Sequence, residues 1–375
     1  MSSPKIAIFI RSLYGGGAER VILNLAHGFV ERGFKVDIVL PRAEGSYLEQ
    51  IFPEVNVVDL KAQWLPASLP KLVQYLRQAR PTALLAALHY PCEIALVAKR
   101  IAGVPTRIIV SEHNTLSLEA QQSSQLSVRL TPLAARLFYP WADGVVAVSQ
   151  GVANDLATVT RIPARKIQVV YNPLVFPKIL TDGKQPVDHP WFQSGNLPVI
   201  LGVGRLHAQK DFVTLIHAFK QVRQVKSARL VILGTGPEEP KLKALICELG
   251  LENDVALPGF VQNPYAYMAK AAVFVMSSAW EGLGNVLVEA MAVGTPVVST
   301  NCKSGPAEIL ANGKYGALTP VGDSQAMATA ILAVLAGDHK QVDPTWLDQF
   351  TPETCVQKYL DVLGFPSHSL SRAML

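Results

Sequence analysis

Glu281 and Glu289 stand eight residues apart in SSAWEGLGNVLVEAMAVGTPVVSTNCKSGPAEIL, which runs from Ser277 to Leu310. Gly282 and Gly284 closely follow the first acid, and Val286, Leu287, Val288, Ala290 and Met291 then give an apolar stretch of helical character. This pattern predicts Glu281 on a loop and a helix starting near Asn285, whose side chain can cap it. Eight helical residues rise about 12 Å, so Glu281 is expected at the helix mouth and Glu289 along its body. First-turn N–H groups of a helix form a seat for an anion between the two acids. Two carboxylates flanking such a seat suit hydroxyl groups on either side of a diphosphate, which is the layout of a nucleotide-sugar. A capped amphipathic helix with two solvated glutamates is the plainer reading of the same pair.

Other chemistry-bearing residues fall at the ends of expected strands. Arg205 and Lys210 bracket the loop after PVILGVGRL, residues 198–206. There they suit a diphosphate, the arginine as a fork and the lysine as a point charge, with surface scatter as the alternative. Gly15, Gly16 and Gly17 follow the apolar run KIAIFI, where ligands collect in open α/β sheets. Their spacing is not the dinucleotide fingerprint, and no GKS or GKT marks a P-loop. A tight turn is the alternative. Gly234-Thr235-Gly236-Pro237 resembles a GxG but lacks the third glycine. His113 follows the strand RIIVS, residues 107–111, well placed to reach a cleft, although a lone histidine is commonly structural. In the turn Pro258-Gly259-Phe260-Val261, Phe260 can lie against a base or pack into the core.

The elements that must hold these residues alternate as strand, helix, strand, which implies parallel sheets covered on both faces. In the first half, strands are expected at 5–10, 35–40, 55–60, 83–88, 107–111 and 144–148, the last of them closing the sheet. Helices are expected at 21–33, 70–80 and 93–102, with one long helix over 116–139 carrying Arg129 and Arg136. The Pro-, Gly-, Asp- and Lys-rich stretch 173–198 reads as the linker. The alternation then restarts at 198, with strands at 229–233, 254–257, 271–276, 296–300 and 316–318. Helices at 325–336 and 352–363 follow, the last crossing back to the first half, with a loose tail after Gly364. The resulting division is 1–175 and 176–351, with the C-terminal segment 352–375 packing on the first domain.

Composition bounds the possibilities. A chain of 375 residues exceeds the usual single core. Its 49% apolar and 17% charged content allows a large interior. No run is long and apolar enough for a membrane span, and the apolar stretch at the N-terminus is too short for a secretory signal. Cys92, Cys247, Cys302 and Cys355 match no zinc or redox spacing and suit a reducing cytosol. The first 178 residues hold 19 Lys+Arg against 12 Asp+Glu, a balance of +7, and the remainder is −2. A basic first half favours an anionic membrane face or a phosphorylated acceptor. Nucleic-acid binding is not expected, because no basic cluster is interleaved with aromatics.

The Gly-Gly-Gly-Ala-Glu-Arg loop, Gly204-Arg205-Leu206 followed by Lys210, and EGLGNVLVEAMAVGTPVVST together resemble glycosyltransferase family 4. That family is retaining and has the GT-B fold, two Rossmann-like doubly wound domains facing across a cleft. The resemblance extends from the glycine loop to Leu310. It implies that Arg205 and Lys210 neutralise the diphosphate, Glu281 holds donor-sugar hydroxyls and Glu289 the ribose. It further implies that backbone N–H groups near Asn285 and Val286, beside Gly284, contact phosphate, that Gly16 and its neighbour Gly17 meet the donor phosphates, that His113 contacts the donor sugar near the reacting carbon, and that the base lies beside Gly259-Phe260-Val261. Asn301 stands where related sequences often carry Asp.

The implied reaction moves a hexose or N-acetylhexosamine from a UDP-sugar to a lipid-linked or polysaccharide acceptor. The nucleotide-sugar is then a substrate and no cofactor is expected. The sequence has no Asp-x-Asp, so metal-independent chemistry is expected, with side-chain cations and helix amides stabilising the departing diphosphate. A cytoplasmic location with peripheral contact to an anionic membrane face through the first half completes the expectation. Alternatives are a nucleotide-sugar epimerase of the same architecture and a non-catalytic nucleotide-sugar-binding subunit. A dinucleotide oxidoreductase fits least.

Overall fold

The computed structural model describes residues 3–366 apart from 194 and 196. The chain forms two compact units, one running to Leu174 and resuming at Gln349, the other Val175–Asp348.

The first unit is built on a seven-stranded parallel sheet in the order β3-β2-β1-β4-β5-β6-β7. Its strands are β1 Lys5–Phe9, β2 Lys35–Leu40, β3 Val55–Asp59, β4 Ala83–Ala87, β5 Arg107–Glu112, β6 Gly144–Ala147 and β7 Ile167–Val169. Central strands such as β4, ALLAA, are buried at every position, as a sheet covered on both faces requires. The helix Pro352–Leu363 completes this unit. Gly28, on the helix Gly17–Glu31, leaves room for Val356, whose methyl group would lie 2.5 Å from a Cβ placed there.

The second unit repeats the plan with six parallel strands in the order β10-β9-β8-β11-β12-β13. These are β8 Val199–Val203, β9 Arg229–Leu233, β10 Val255–Gly259, β11 Val273–Met276, β12 Val297–Thr300 and β13 Ala317–Thr319. Its core joins Ile200, Leu230, Ile232 and Val275 of the sheet to Phe212, Leu215 and Phe219 of the helix Phe212–Val225. In both sheets strand order reverses beside the first strand, between β1 and β4 and between β8 and β11. Ligands of open α/β sheets bind at the carboxyl ends of such strands.

Several sequence expectations need correction. The region 116–139 is not one helix but three segments, Leu116–Gln122, Leu126–Arg129 and Thr131–Phe138. Extended backbone at Ser123 and Gln125 breaks the first from the second. The strand at 144–148 does not close the first sheet, because the short β7 pairs beyond it. The stretch read as linker contains the helix Pro177–Gly183 and belongs to the second unit. Asn263 Nδ2 donates to Asp182 O at 2.9 Å, and Lys270 Nζ to Gln185 O at 2.7 Å. Two helical turns rich in polar residues leave too little periodicity to be seen. Gly17 opens a helix rather than lying in the loop, with Gly16 at its N-cap. Residues 367–375, read as part of the C-terminal segment and its loose tail, lie outside the described residues.

Candidate active site

The switch point of the second sheet brings two loops together. After β8 the chain passes through Gly204 and Arg205, buries Leu206, and makes a 3-10 turn over Ala208–Lys210. Asp211 then starts the next helix in the left-handed region, φ 45°. Its carboxylate accepts from the Thr214 hydroxyl at 2.6 Å. After β11 the chain runs Ser277-Ser278-Ala279-Trp280-Glu281. Three hydrogen bonds stitch the loops. Ser277 Oγ donates to Lys210 O at 2.8 Å, Ala279 N to Gln209 O at 2.8 Å, and Gln209 Nε2 to Trp280 O at 2.9 Å.

This stitching sets Lys210 Nζ and Glu281 Oε1 in an ion pair. Glu281 is only 6% exposed, and Ser278 Oγ donates to the same carboxylate oxygen at 2.7 Å. The Ser278 carbonyl is fixed in turn by the Thr300 hydroxyl at 2.6 Å. The thiol of Cys302 is pushed up to about 12, first by burial and then by the charge of Glu281. Glu281 is thus no solvated surface acid. It is a buried carboxylate that pairs with Lys210 and accepts from the Ser278 hydroxyl.

Beyond Glu281 the chain turns through Leu283, whose carbonyl lies against Gly305 so closely that a Cβ there would come within 1.8 Å. The helix spans Asn285–Ala292, as its apolar pattern predicts, but Asn285 does not cap it. Gly284 is the N-cap, at φ 98° and ψ 54°, a conformation that glycine adopts without strain. The amides of Asn285 and Val286 therefore lie in the first turn of this helix, four and five residues past Glu281. Glu289 is half-buried one turn further on.

Neighbouring strand ends extend the edge. Gly204 N donates to Leu233 O at 2.9 Å and Gly234 N to Gly259 O at 2.8 Å, so the ends of β8, β9 and β10 lie side by side. Arg205 is exposed, and Phe260 is 65% exposed just past Gly259 and before Val261. Core packing of Phe260 is thereby ruled out.

The first unit carries Gly16, Gly17 and His113. Gly15, at φ 111°, allows the turn into the helix, and its carbonyl accepts from the Tyr47 hydroxyl at 3.4 Å. His113, one residue past β5, is 7% exposed. Its Nε2 lies 3.2 Å from Ser111 Oγ, which lies 3.0 Å from the Tyr359 hydroxyl. Its Nδ1 is buried without a partner, and burial lowers its pKa to about 4, so the ring is neutral at neutral pH. Beside it Glu112 is fully buried, accepts from Tyr139 Oη at 2.9 Å, and is pushed up to about 8 by burial. Glu93 is likewise pushed up to about 8 by burial.

Sequence reasoning missed Ser278 and Gln209, which position the ion pair, and Ser111 and Tyr359, which orient His113. A hydroxyl three residues before the acid was a local signal for Ser278. Tyr359, 248 positions from Ser111, offered none. Among the described residues, no group of three or more His, Cys, Asp or Glu is arranged to hold a metal ion.

The model described as Glycosyltransferase Family 4 matches residues 15–174, and that described as Glycosyl transferases group 1 matches residues 197–337. The N-acetylgalactosamine-N,N'-diacetylbacillosaminyl-diphospho-undecaprenol 4-alpha-N-acetylgalactosaminyltransferase of Campylobacter jejuni is 33% identical over 343 residues, 89% of this chain and 91% of that protein. The lipopolysaccharide 1,6-galactosyltransferase of Salmonella typhimurium is 25% identical over 376 residues, covering 96% of each. Among solved structures, the Anabaena protein HepE in complex with UDP-glucose superposes with a TM-score of 0.74 at 24% identity over 99% of both chains. The apo lipopolysaccharide outer core galactosyltransferase WaaB gives 0.73 at 23%, covering 96% of this chain and 99% of that one.

Proposed function

This chain belongs to glycosyltransferase family 4 and has the GT-B type of fold, and from that premise we propose that it transfers a hexose or N-acetylhexosamine from a UDP-sugar to a lipid-linked or polysaccharide acceptor, with retention of configuration. The observation that carries this reading is the part-buried Lys210–Glu281 pair, seated at the switch point of the second sheet beside the start of the helix Asn285–Ala292. Lys210, Arg205 and the amides of Asn285 and Val286 stabilise negative charge on the departing diphosphate. Glu281 accepts hydrogen bonds from donor-sugar hydroxyls and Glu289 from the ribose. The exposed ring of Phe260, with Gly259 and Val261, supports the base. Gly16 and Gly17 meet the phosphates, and His113, neutral at the operating pH, hydrogen-bonds the sugar. The acceptor class follows the names of the relatives, one of which acts on a diphospho-undecaprenol saccharide. The cytosol, the compartment suggested by its unpaired cysteines, is where we place the enzyme. No described helix is long and apolar enough to cross a membrane.

The test is a donor panel offered with polyprenyl-diphosphate saccharides, reading nucleotide release and the anomeric configuration of the product. We expect UDP release that depends on acceptor and an α-linked product from an α-linked donor. We also expect turnover in EDTA within about two-fold of that with added Mg2+, because the charge is carried by side chains and amides. A free sugar-nucleotide isomer formed without acceptor would point to an epimerase. Donor binding without turnover across the panel would point to a non-catalytic subunit.

A further inference from the structure

Ser111 and Glu112 end β5 and His113 follows, and strand alternation sends the three side chains to two faces. Glu112 accepts from Tyr139 on one side. Ser111 and His113 share the other, where the helix Pro352–Leu363 brings in Tyr359. Tyr359 is fully buried. A phenylalanine would fill nearly the same space, so the hydroxyl adds little to packing and is tolerated there only when bonded. Among the described residues its one hydrogen-bond partner is Ser111 Oγ, at 3.0 Å. The serine oxygen in turn lies 3.2 Å from His113 Nε2. His113 Nδ1 is buried with no partner among the same residues.

Three arrangements of protons keep both contacts as hydrogen bonds. In the first, His113 Nε2 donates to Ser111 and Ser111 donates to Tyr359, which strands the phenol proton without an acceptor. In the second, Nε2 and Tyr359 both donate to Ser111, and the serine proton is the one stranded. Each of these also leaves the Nδ1 lone pair bare. In the third, Tyr359 donates to Ser111 and Ser111 donates to Nε2. Both hydroxyl protons are then bonded, and only the Nδ1 N–H is left. Buried polar groups without partners are costly, so the third arrangement prevails. The tautomer of a neutral imidazole is set by the bond that its other nitrogen makes. This ring is neutral at neutral pH, because burial lowers its pKa to about 4.

We propose that Tyr359 is a positioning residue: through Ser111 it holds His113 in the tautomer protonated at Nδ1, so that the ring meets the substrate as a hydrogen-bond donor. This rests on the reading of His113 as a sugar contact and adds the direction of that contact. The sugar group facing Nδ1 must then offer an oxygen lone pair. A group that can only donate, such as the ammonium of an unacetylated amino sugar, is disfavoured there.

The experiment reads the tautomer by nitrogen NMR of the full chain, isotope-labelled in its histidine rings, at neutral pH. His113→Gln identifies the signals. The wild type is expected to carry the proton on Nδ1 and none on Nε2. Tyr359→Phe and Ser111→Ala, each checked for folding by circular dichroism, are expected to populate the other tautomer. With whichever nucleotide-sugar supports turnover, Tyr359→Phe is expected to lower kcat/KM by about three- to ten-fold, in proportion to the fraction of productive tautomer. In a His113→Ala background the same change is expected to cost nothing further, because its effect passes through the imidazole. The proposal is overturned if wild-type His113 carries its proton on Nε2, or if folded Tyr359→Phe leaves the tautomer unchanged. It is also overturned if Tyr359→Phe costs as much with the imidazole removed. A wild type protonated at Nδ1 that turns over no nucleotide-sugar would instead remove the transferase reading and leave the Tyr359–Ser111–His113 relay standing.

Discussion

The loops after β8 and β11 in the second unit place a lysine and a carboxylate in contact, with an exposed arginine nearby. The helix His89–Ala102 that follows β4, and the end of β5 with the loop after it, bury titratable groups of the first unit in uncharged form. Both sheets place their first strand beside their fourth, so topology alone does not make the difference. Residue choice does. In the second unit the carboxylate is paired with Lys210 and bonded by Ser278. In the first, Glu93 lies buried with neither side-chain oxygen hydrogen-bonded, and His89 and His113 are each lowered to about 4, mainly or wholly by burial. A polar group withdrawn from water without a countercharge takes its neutral form. One edge is therefore equipped to answer charge on a ligand. The other offers neutral donors and acceptors, which suit sugar hydroxyls better than phosphates.

The strongest break in this comparison comes from the ion pair. Lys210→Ala and Glu281→Ala should each lower kcat/KM by about 100- to 1000-fold, the usual cost of losing one preorganised electrostatic contact. The double variant should be little worse than either single one, because the two groups act as a unit. Steady-state UDP release checks both statements, and additive losses would separate the pair.

Next in size is a pH effect confined to the first unit. Above its ordinary value of 4.5 an unfolded glutamate releases its proton, whereas folded Glu93 keeps it to about 8. The folded state thus binds more protons than the unfolded one between those values, and stability falls as pH rises through that window. The slope is at most about 1.4 kcal/mol per pH unit for one group. Glu93→Gln should flatten the decline in melting temperature between pH 6 and 8. A variant that tracks the wild type would show that Glu93 ionises in the folded protein. His113 works in the opposite sense. Its depressed folded value removes stability as pH falls from 6.5 towards 4.

Smaller still is the effect of Gly284→Ala. The new Cβ would sit 3.1 Å from Met276 Cε with the backbone held at φ 98°. A loss of roughly 1–3 kcal/mol is expected by chemical denaturation. Phe260→Ala should change stability least, within about 0.5 kcal/mol, because the ring is solvent-exposed. If the ring supports the base, the same variant should weaken UDP binding several-fold in calorimetry.

How much of this was legible beforehand depended on sequence distance. The strands announced themselves as short apolar runs, and the loop bearing Lys210 and the one bearing Glu281 were each readable as strand-end chemistry. Their direct pairing was not, because it joins positions 71 apart through bonds made by Gln209 and Ser277. The cap at Gly284 was misread because Asn285 is the better capping type by side chain, while the backbone needed a left-handed residue. The helix Pro177–Gly183 was hidden by its polar composition. The buried state of Glu112 could not be read either. An acid at the end of RIIVSE looks like the start of a loop, yet it is buried and accepts from Tyr139, which opens the 3-10 turn Tyr139–Trp141 some 27 positions on.

The central claim is that the loops after β8 and β11 hold a nucleoside diphosphate at the mouth of the helix Asn285–Ala292. A crystal structure with UDP tests it most directly. The account predicts the β-phosphate within hydrogen-bonding reach of Lys210 or Arg205 and of the Asn285 or Val286 amide, with the ribose on Glu289. Density for UDP away from these loops, or phosphates on the glycine loop of the first unit with the second unit empty, would contradict it.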